Sequence, residues 1–416
     1  MMMKEYILLL GADQFLRERS LAGAKSISHL PIWTADSNAK TKYNRYFDNC
    51  IEADPQDSQK LLKVINEYKE KGWIPRVIIP LNDWTLKAAN EVNQQLGLRH
   101  LNSNTVNLAR NKFAMKKSFF EHNVNTAPFH LIQDESELLL AVNDLGLPVV
   151  IKPYDFGGSA GVYLARTEDE VIQAFKESQK VLEEYGEIFG VEGDKYLVEK
   201  YIDSRDEVSV EVVCFNKQYD VLTVTEKYLS PEPWFSEMAH LVPSHRVNDE
   251  ELRELACEAC KALDIEFGLA HVEIKIKDNE FWVIEAAARP GGDGIMDQIE
   301  RAYEINPYSL HVSCYLNENP FMHMEKLKPI QSAAIAFLKA PSGIIKEIKN
   351  TNSLPEEVHS LAIQAHVGKV SADPIFCLSR EGTVEYTWEN LFETKTDKPL
   401  EMTKILSEEI FEVEEC

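Results

Sequence analysis

Glu273, Glu285 and Arg289 are the residues of this chain whose types and spacing point most directly to chemistry. They lie in His271-Val272-Glu273-Ile274-Lys275 and in Ile284-Glu285-Ala286-Ala287-Ala288-Arg289-Pro290-Gly291-Gly292. Val272, Ile274 and Ile276 alternate with Glu273, Lys275 and Lys277, and a second apolar run, Phe281-Trp282-Val283-Ile284, follows Asp278-Asn279-Glu280. That pattern predicts a β-hairpin. With a three-residue loop over 278–280, Lys277 faces Phe281 and Glu273 lies opposite Glu285. Like charges so placed destabilise a strand pair unless a cation lies between them. Mg²⁺ suits the position, because it takes one or two carboxylates and completes its shell with water and phosphate oxygens. Arg289, four residues on, would reach the same anion. A two-residue loop would instead put Glu285 on the other face and leave both glutamates solvated, the usual fate of Glu. On this reading the loop length decides.

The elements that must position these residues alternate between strand and helix. Tyr6–Leu10, Leu30–Thr34 and Arg76–Pro80 read as strands, and the segments through Arg19–Lys25, Ser58–Glu70 and Trp84–Gly97 as helices, which predicts an α/β domain with a parallel sheet covered on both faces. A lone Gly11 lacks the further glycines of a dinucleotide fingerprint. One helix is expected from the Asn102–Thr105 caps through Arg110, Lys112 and Lys116 to Phe120. Glu135–Leu145 follows as a helix and Pro148–Pro153 as a strand, ending in Lys152 before the loop Asp155-Phe156-Gly157-Gly158-Ser159-Ala160-Gly161-Val162. Its glycines permit a tight hairpin whose amides approach an anion closely, although an ordinary turn would need no ligand. Tyr196–Ile202 and Val208–Val213 are further strands. The expected division is an N-terminal α/β domain over 1–104, a connecting helix over 105–127, a small lobe over 128–204 and a core over 205–416, with an extra subdomain from about 328.

The 416 residues, 44% apolar, suit a globular multidomain protein. A net charge of −24 argues against nucleic acid or an anionic membrane as partner. The short apolar run at Tyr6–Leu10 is neither a membrane span nor a secretory leader, and the expected location is the cytoplasm. Seven irregularly spaced cysteines (50, 214, 257, 260, 314, 377 and 416) argue against a disulfide framework. Cys257 and Cys260 fall in a helical pattern with no second ligand pair, so zinc is not expected. The acidic end, Glu408-Glu409 to Glu414-Glu415-Cys416, serves solubility.

Taken in order, Lys112, Lys152, the glycine loop, Glu199-Lys200-Tyr201-Ile202, Glu207, Lys227, Glu273, Glu285 and Arg289 resemble the ATP-grasp superfamily over roughly residues 105–295. The resemblance implies the ATP-grasp fold, with ATP held between two lobes. Lys112 and Lys152 would contact the α- and β-phosphates under a loop of Gly157, Gly158, Ser159 and Gly161. Glu199, Lys200, Tyr201 and Ile202 would lie at the adenine, and Glu207 would accept from the ribose hydroxyls. One of Lys112, Lys152 and Lys200 is allowed to be an ordinary solvated lysine. Glu273 and Glu285 would bind Mg²⁺, two ions in the usual form, with Mn²⁺ as a substitute. Ala287 departs from the pattern, since many relatives have a metal-binding Asn there.

The Glu-x-x-x-Arg form is similar to the L-amino-acid ligases, the dipeptide-forming enzymes of the bacilysin and rhizocticin type. Trp234-Phe235-Ser236-Glu237-Met238-Ala239-His240-Leu241-Val242-Pro243-Ser244 is similar to their substrate segment. That implies ATP-dependent joining of two L-amino acids through an aminoacyl phosphate, releasing ADP and phosphate, in a setting such as antibiotic biosynthesis. Arg289, His240 and Lys227 form the expected catalytic set. Glu237, Arg289, Gly292 and Asp293 are the expected substrate-binding residues. A carboxylate at Asp293 suits a cationic first substrate such as arginine; alternatively Asp293 merely caps the helix that follows. The remaining alternatives are another ATP-grasp carboxylate-amine or carboxylase-like ligase, a non-catalytic ATP-binding regulator, and a plain kinase. The oligomeric state is open, a homodimer included.

Overall fold

The computed structural model describes residues 3–12, 16–38, 44–186, 191, 194–350, 354–372 and 379–414. Cys377, Cys416 and the last glutamate of the acidic end lie outside them. Strands β1 (Lys4–Leu10), β2 (Ile32–Asp36), β3 (Asn49–Glu52) and β4 (Trp73–Pro80) form a parallel sheet in the order β3-β2-β1-β4. Helices α1 (Arg19–Ile27), α2 (Ser58–Glu70) and α3 (Asp83–Leu96) lie between and after them. Both faces of β1 are buried. Tyr6, Leu8 and Leu10 pack with Trp33 and Ile65, while Ile7 and Leu9 pack with Val77 and Ile79, as a central parallel strand requires. β3 was not expected: with one fully buried residue, Ile51, it has no apolar run to announce it.

The single helix expected over 103–120 is two, α4 (Ser103–Arg110) and α5 (Lys112–Glu121). Asn111 makes the break, its backbone extended and its side chain accepting from the Ala114 amide to start α5. Lys112 and Lys116, one turn apart, therefore share a face. Next comes an antiparallel sheet of β5 (Phe129–Ile132), β6 (Val149–Pro153), β7 (Tyr163–Ala165) and β8 (Tyr196–Lys200), ordered β5-β8-β6-β7, with α6 (Glu135–Leu145) and α7 (Glu168–Tyr185). The glycine loop joins β6 to β7.

The third layer is built on β9 (Asp206–Phe215), β10 (Gln218–Leu229), β11 (Glu237–Val242), β12 (Phe267–Lys277), β13 (Glu280–Ala287) and β14 (Ser332–Leu338). Helices α8 (Glu250–Ala262), α9 (Ile295–Tyr303) and α10 (Pro307–Tyr315) accompany it. Beyond Pro329, β15 (Gly343–Ile348), β16 (Val358–Ile363), β17 (Val370–Ser371), β18 (Gly382–Trp388), α11 (Lys398–Ile410) and β19 (Phe411–Glu414) complete the chain. The subdomain expected from about 328 is only partly separate. β14, β18 and β16 continue the large sheet, β13-β12-β9-β10-β11-β14-β18-β16, and only β17-β15-β19 form a sheet of their own. Ala334, Ala336 and Leu338 on β14 share a core with Val384, Tyr386 and the α11 residues Leu406 and Ile410, which ties the late strands to the sheet.

Candidate active site

The strand registers assemble the site in rows. On β9 the valines 208, 210 and 212 face the apolar core, so Glu207, Ser209 and Glu211 face the cleft. Lys275, Glu207, Lys227 and His240 are successive partners across β12, β9, β10 and β11. Glu285, Glu273 and Ser209 make the next row, and His271 and Glu211 pair in the row beyond. Residues 60 to 68 positions apart in sequence thus become neighbours through pairing alone.

The hairpin reaches the expected result by a different route. Lys277 pairs with Glu280, so the loop is the two residues Asp278 and Asn279, both with positive φ, a combination typical of the tightest hairpins. That loop should have sent Glu285 to the other face. A β-bulge after Ile274–Val283 adds Ile284 to β13, and Glu273 pairs with Glu285 after all. The expectation that loop length decides the register was incorrect, because it took the pairing to be regular.

At the glycine-loop end of the cleft, Lys112 Nζ donates to the Phe156 carbonyl at 2.6 Å, binding α5 to the glycine loop, and lies 3.1 Å from Glu285 Oε1. Lys152 Nζ is 2.7 Å from Glu199 Oε1, and Lys116 Nζ is 3.2 Å from its Oε2. Burial works against the Lys116 ammonium more than Glu199 supports it, and its pKa falls to about 8. Lys116 carried no assigned role in the sequence; its place one turn after Lys112 was the available signal. Glu199, expected at the adenine, is buried between the two lysines. Glu207, expected at the ribose, spans Lys227 at 2.9 Å and Lys275 at 3.7 Å. Tyr201 and Ile202 line the cleft with Gly157, Gly158 and Ser159, although the Tyr201 amide already donates to Pro148. A side chain on Gly161, at φ +72°, would press on the Pro153 ring at 3.0 Å. Lys200 turns its ammonium to the carbonyls of Gly146 and Leu147 at 3.1 and 2.8 Å. It lines the cleft as well but, unlike Lys112 and Lys152, its ammonium meets no carboxylate among the described residues.

Lys227 holds the centre. It lies 2.8 Å from Glu273 and 3.6 Å from Glu237 in addition to Glu207. Burial opposes its charge, but the carboxylates outweigh this and hold its pKa well above the ordinary value. Burial likewise opposes ionisation of Glu273, and Lys227 with His271 overrides it, keeping the carboxyl well below the usual range. His271 pairs through Nδ1 with Glu211, whose other carboxylate oxygen accepts from the Gly291 amide. Glu273 and Glu285, each met by a lysine and facing one another, would offer Mg²⁺ two carboxylate ligands, its remaining places being left to water and phosphate. Among the described residues no group of three or more His, Cys, Asp or Glu side chains is arranged to hold a metal.

Past Glu273 the cleft continues into a chamber lined by Glu237, His240, Gly292, Asp293, Phe337 and Arg380. Arg289 stands at the junction. Its Nε and Nη2 both reach Asp83 Oδ2 at 2.8 Å, so the first residue of α3 aims it. Burial opposes the charge of Asp83, but Arg289 and Arg110 bring its pKa down to about 2. His240 is buried with both ring nitrogens lacking a hydrogen-bond partner, Nε2 lying 3.7 Å from Asp293. Asp293 does not cap α9, which begins after Gly294 with no side-chain cap. Its carboxylate accepts from Arg380 Nη2 at 2.7 Å, and that guanidinium also donates to the Glu237 carbonyl and lies over the Phe337 ring. The acid expected to attract a cationic substrate is already paired within the chain. Sequence reasoning missed both Asp83 and Arg380.

Residues 145–322 match the ATP-grasp domain family. The alanine–anticapsin ligase of Bacillus subtilis is 26% identical over 51% of this chain and 48% of that enzyme; the chain spans about half the length of the curated relatives it first matches. Among solved structures, an L-amino acid ligase from Bacillus licheniformis superimposes with a TM-score of 0.76 at 18% identity, covering 100% of both chains. Phosphoribosylglycinamide synthetase from Anaerococcus prevotii does so with 0.68 at 20% identity, covering 99% and 100%. The fold is ATP-grasp.

Proposed function

We propose that this chain, with its ATP-grasp fold, joins two L-amino acids at the expense of ATP. The observation that carries the reading is the continuity of two compartments. The lysine-lined cleft opens past Glu273 and Arg289 into a chamber holding a carboxylate, Glu237, and a buried imidazole, His240, 3.7 Å from Asp293. The likeness to an alanine–anticapsin ligase and an L-amino acid ligase supports it.

ATP would lie under the glycine loop, its phosphates drawing Lys112 and Lys152 from their glutamates. Mg²⁺ held by Glu273 and Glu285 would offset phosphate charge. The γ-phosphorus forms a bond to a carboxylate oxygen of the first amino acid as its bond to the β-bridging oxygen breaks, giving ADP and an acyl phosphate. Arg289 and Lys227 face the anions that this step brings together. Glu237 would hold the first substrate's ammonium. The second amino acid, as a free amine, then attacks the acyl carbon; a C–N bond forms, the C–O bond to phosphate breaks, and the nitrogen loses a proton. His240 is placed in the chamber where that proton leaves or the phosphate departs. The β5–β8 lobe with its glycine loop would exclude water from the acyl phosphate.

Mass spectrometry of products from ATP, Mg²⁺ and mixed L-amino acids tests this. The expected product equals two amino acids less one water, with ADP and phosphate. An amide to a different amine would favour the wider ligase class to which the phosphoribosylglycinamide synthetase likeness points, a phosphorylated substrate would indicate a kinase, and ATP binding without ADP formation a regulatory protein.

A further inference from the structure

Charges around the chamber beyond Arg289 are matched: Arg289 with Asp83, Lys227 with Glu273, Arg380 with Asp293. Arg17 is the exception. It precedes α1, lines the same chamber and is 8% exposed. Among the described residues no carboxylate forms an ion pair with it; its Nη1 is buried without a well-formed hydrogen bond, beside the neutral Tyr308 hydroxyl. The Ser20 hydroxyl, in the first turn of α1, is likewise buried without a partner. Nη2 is 3.7 Å from where a Cβ on Gly292 would stand, so any longer side chain there would cover the guanidinium. Burying a guanidinium without a counterion is unfavourable until an anion arrives, and its planar fork of N–H donors matches a carboxylate.

We infer that Arg17 receives the carboxylate of the amine-donating, second amino acid. The inference rests on the ligation reading and extends it. In that reaction the first substrate's carboxylate is consumed at the phosphoryl end beside Arg289. The second substrate attacks through nitrogen and keeps its carboxylate, which must enter the same chamber and lose its water. Among the described residues, Arg17 is the cation there with no counterion to displace. The chamber therefore accepts amino acids in preference to simple amines or amino-acid amides, and the N-terminal domain, through α1, takes part in choosing the acceptor.

The test compares free amino acids with their carboxamides as acceptors. The wild-type protein is expected to show a KM at least 10-fold lower for the acids. Arg17→Gln should raise the KM for acids by 10-fold or more, with much less effect on amides and on kcat, and Arg17→Lys should recover part of the preference. Equal acceptance of acids and amides by the wild type, or an equal loss for both in Arg17→Gln, would overturn the assignment. If no amide forms with any pair, the ligation reading fails separately. Thermal-shift measurements with MgADP then decide on Arg17: stabilisation by the acids alone, lost in Arg17→Gln, supports a carboxylate site, and stabilisation by both forms or by neither removes it.

Discussion

Glu273 and Glu285 stand opposite one another because Ile284 is one residue more than the strand pairing needs. The bulge puts two acids on the cleft face of adjacent strands, and Lys227 and Lys112 offset them.

Removing Ile284 would restore regular pairing from the two-residue loop and leave Glu285 as the regular partner of Glu273, so the deletion tests the bulge and Glu285→Gln tests the carboxylate. In Glu285→Gln, which keeps the backbone, Mg²⁺-dependent ADP formation should fall by about 10²-fold or more, as expected when metal stabilisation worth several kcal/mol is lost, and the Mg²⁺ concentration needed should rise. The Ile284 deletion, which keeps both acids facing one another, should lose much less. A Mg²⁺ dependence unchanged in Glu285→Gln would leave the pair without a metal role.

Lys152 and Lys200 should separate cleanly. Lys152→Gln removes a charged partner at the cleft and should raise the KM for ATP about 10-fold or more, while Lys200→Met loses two bonds to carbonyls and should cost about 1–2 kcal/mol of stability. ATP titration beside urea unfolding of each variant checks both. A large ATP effect in Lys200→Met would return that lysine to the nucleotide.

What the sequence made legible was local. Lys152 ahead of a glycine-rich loop, the apolar alternation around Glu273, and Glu237 with His240 three residues on are each visible within a short window, and the structure brings them together around one cleft. The partners that aim them come from far away. Asp83 and Arg289 are 206 positions apart, and Arg380 and Asp293 are 87. A single acid opening a helix, or one arginine before a strand, has no periodicity to mark it. Ile284 was hidden for another reason: an inserted apolar residue in an apolar run changes the register without changing the pattern.

Asp83 should act on catalysis through Arg289. Asp83→Asn keeps the shape but leaves the guanidinium without a counterion, and kcat should fall about 10-fold with a smaller change in the KM for ATP, as orientation losses do. The wild-type group, held at about 2 and so below its unfolded value, contributes stability above pH about 4 that is lost as pH falls toward 2. Acid unfolding curves that coincide for the two proteins would contradict this.

Asp297 has the opposite sign. Burial, helped by Glu385, raises its pKa to about 7, and its Oδ1 is buried without a hydrogen-bond partner. A raised folded-state value means that its contribution to stability is complete below the unfolded pKa near 4 and lost as pH climbs through about 7. Asp297→Asn should therefore be more stable than the wild type at pH 8, by about 2 kcal/mol, and no more stable at pH 4. Thermal melts at the two pH values decide it; a benefit equal at both would place its origin in packing.

Arg380 should govern which first amino acid is accepted. Its guanidinium occupies Asp293 and touches Glu237, so among the described residues the chamber presents no uncommitted acid to an incoming arginine or lysine. Arg380→Gln would release Asp293 while Glu237 keeps Lys227, and a carboxylate without its guanidinium in a water-poor chamber attracts a cation. Competition assays with mixed amino acids should show first-substrate selection moving toward basic side chains by about 10-fold or more, the scale of one charged hydrogen bond. Asp293→Ala in the wild-type background should not show that shift, because it removes the acid along with its partner. If the wild type already prefers arginine, Arg380 must leave Asp293 on substrate binding, and Arg380→Gln would then strengthen that preference only slightly.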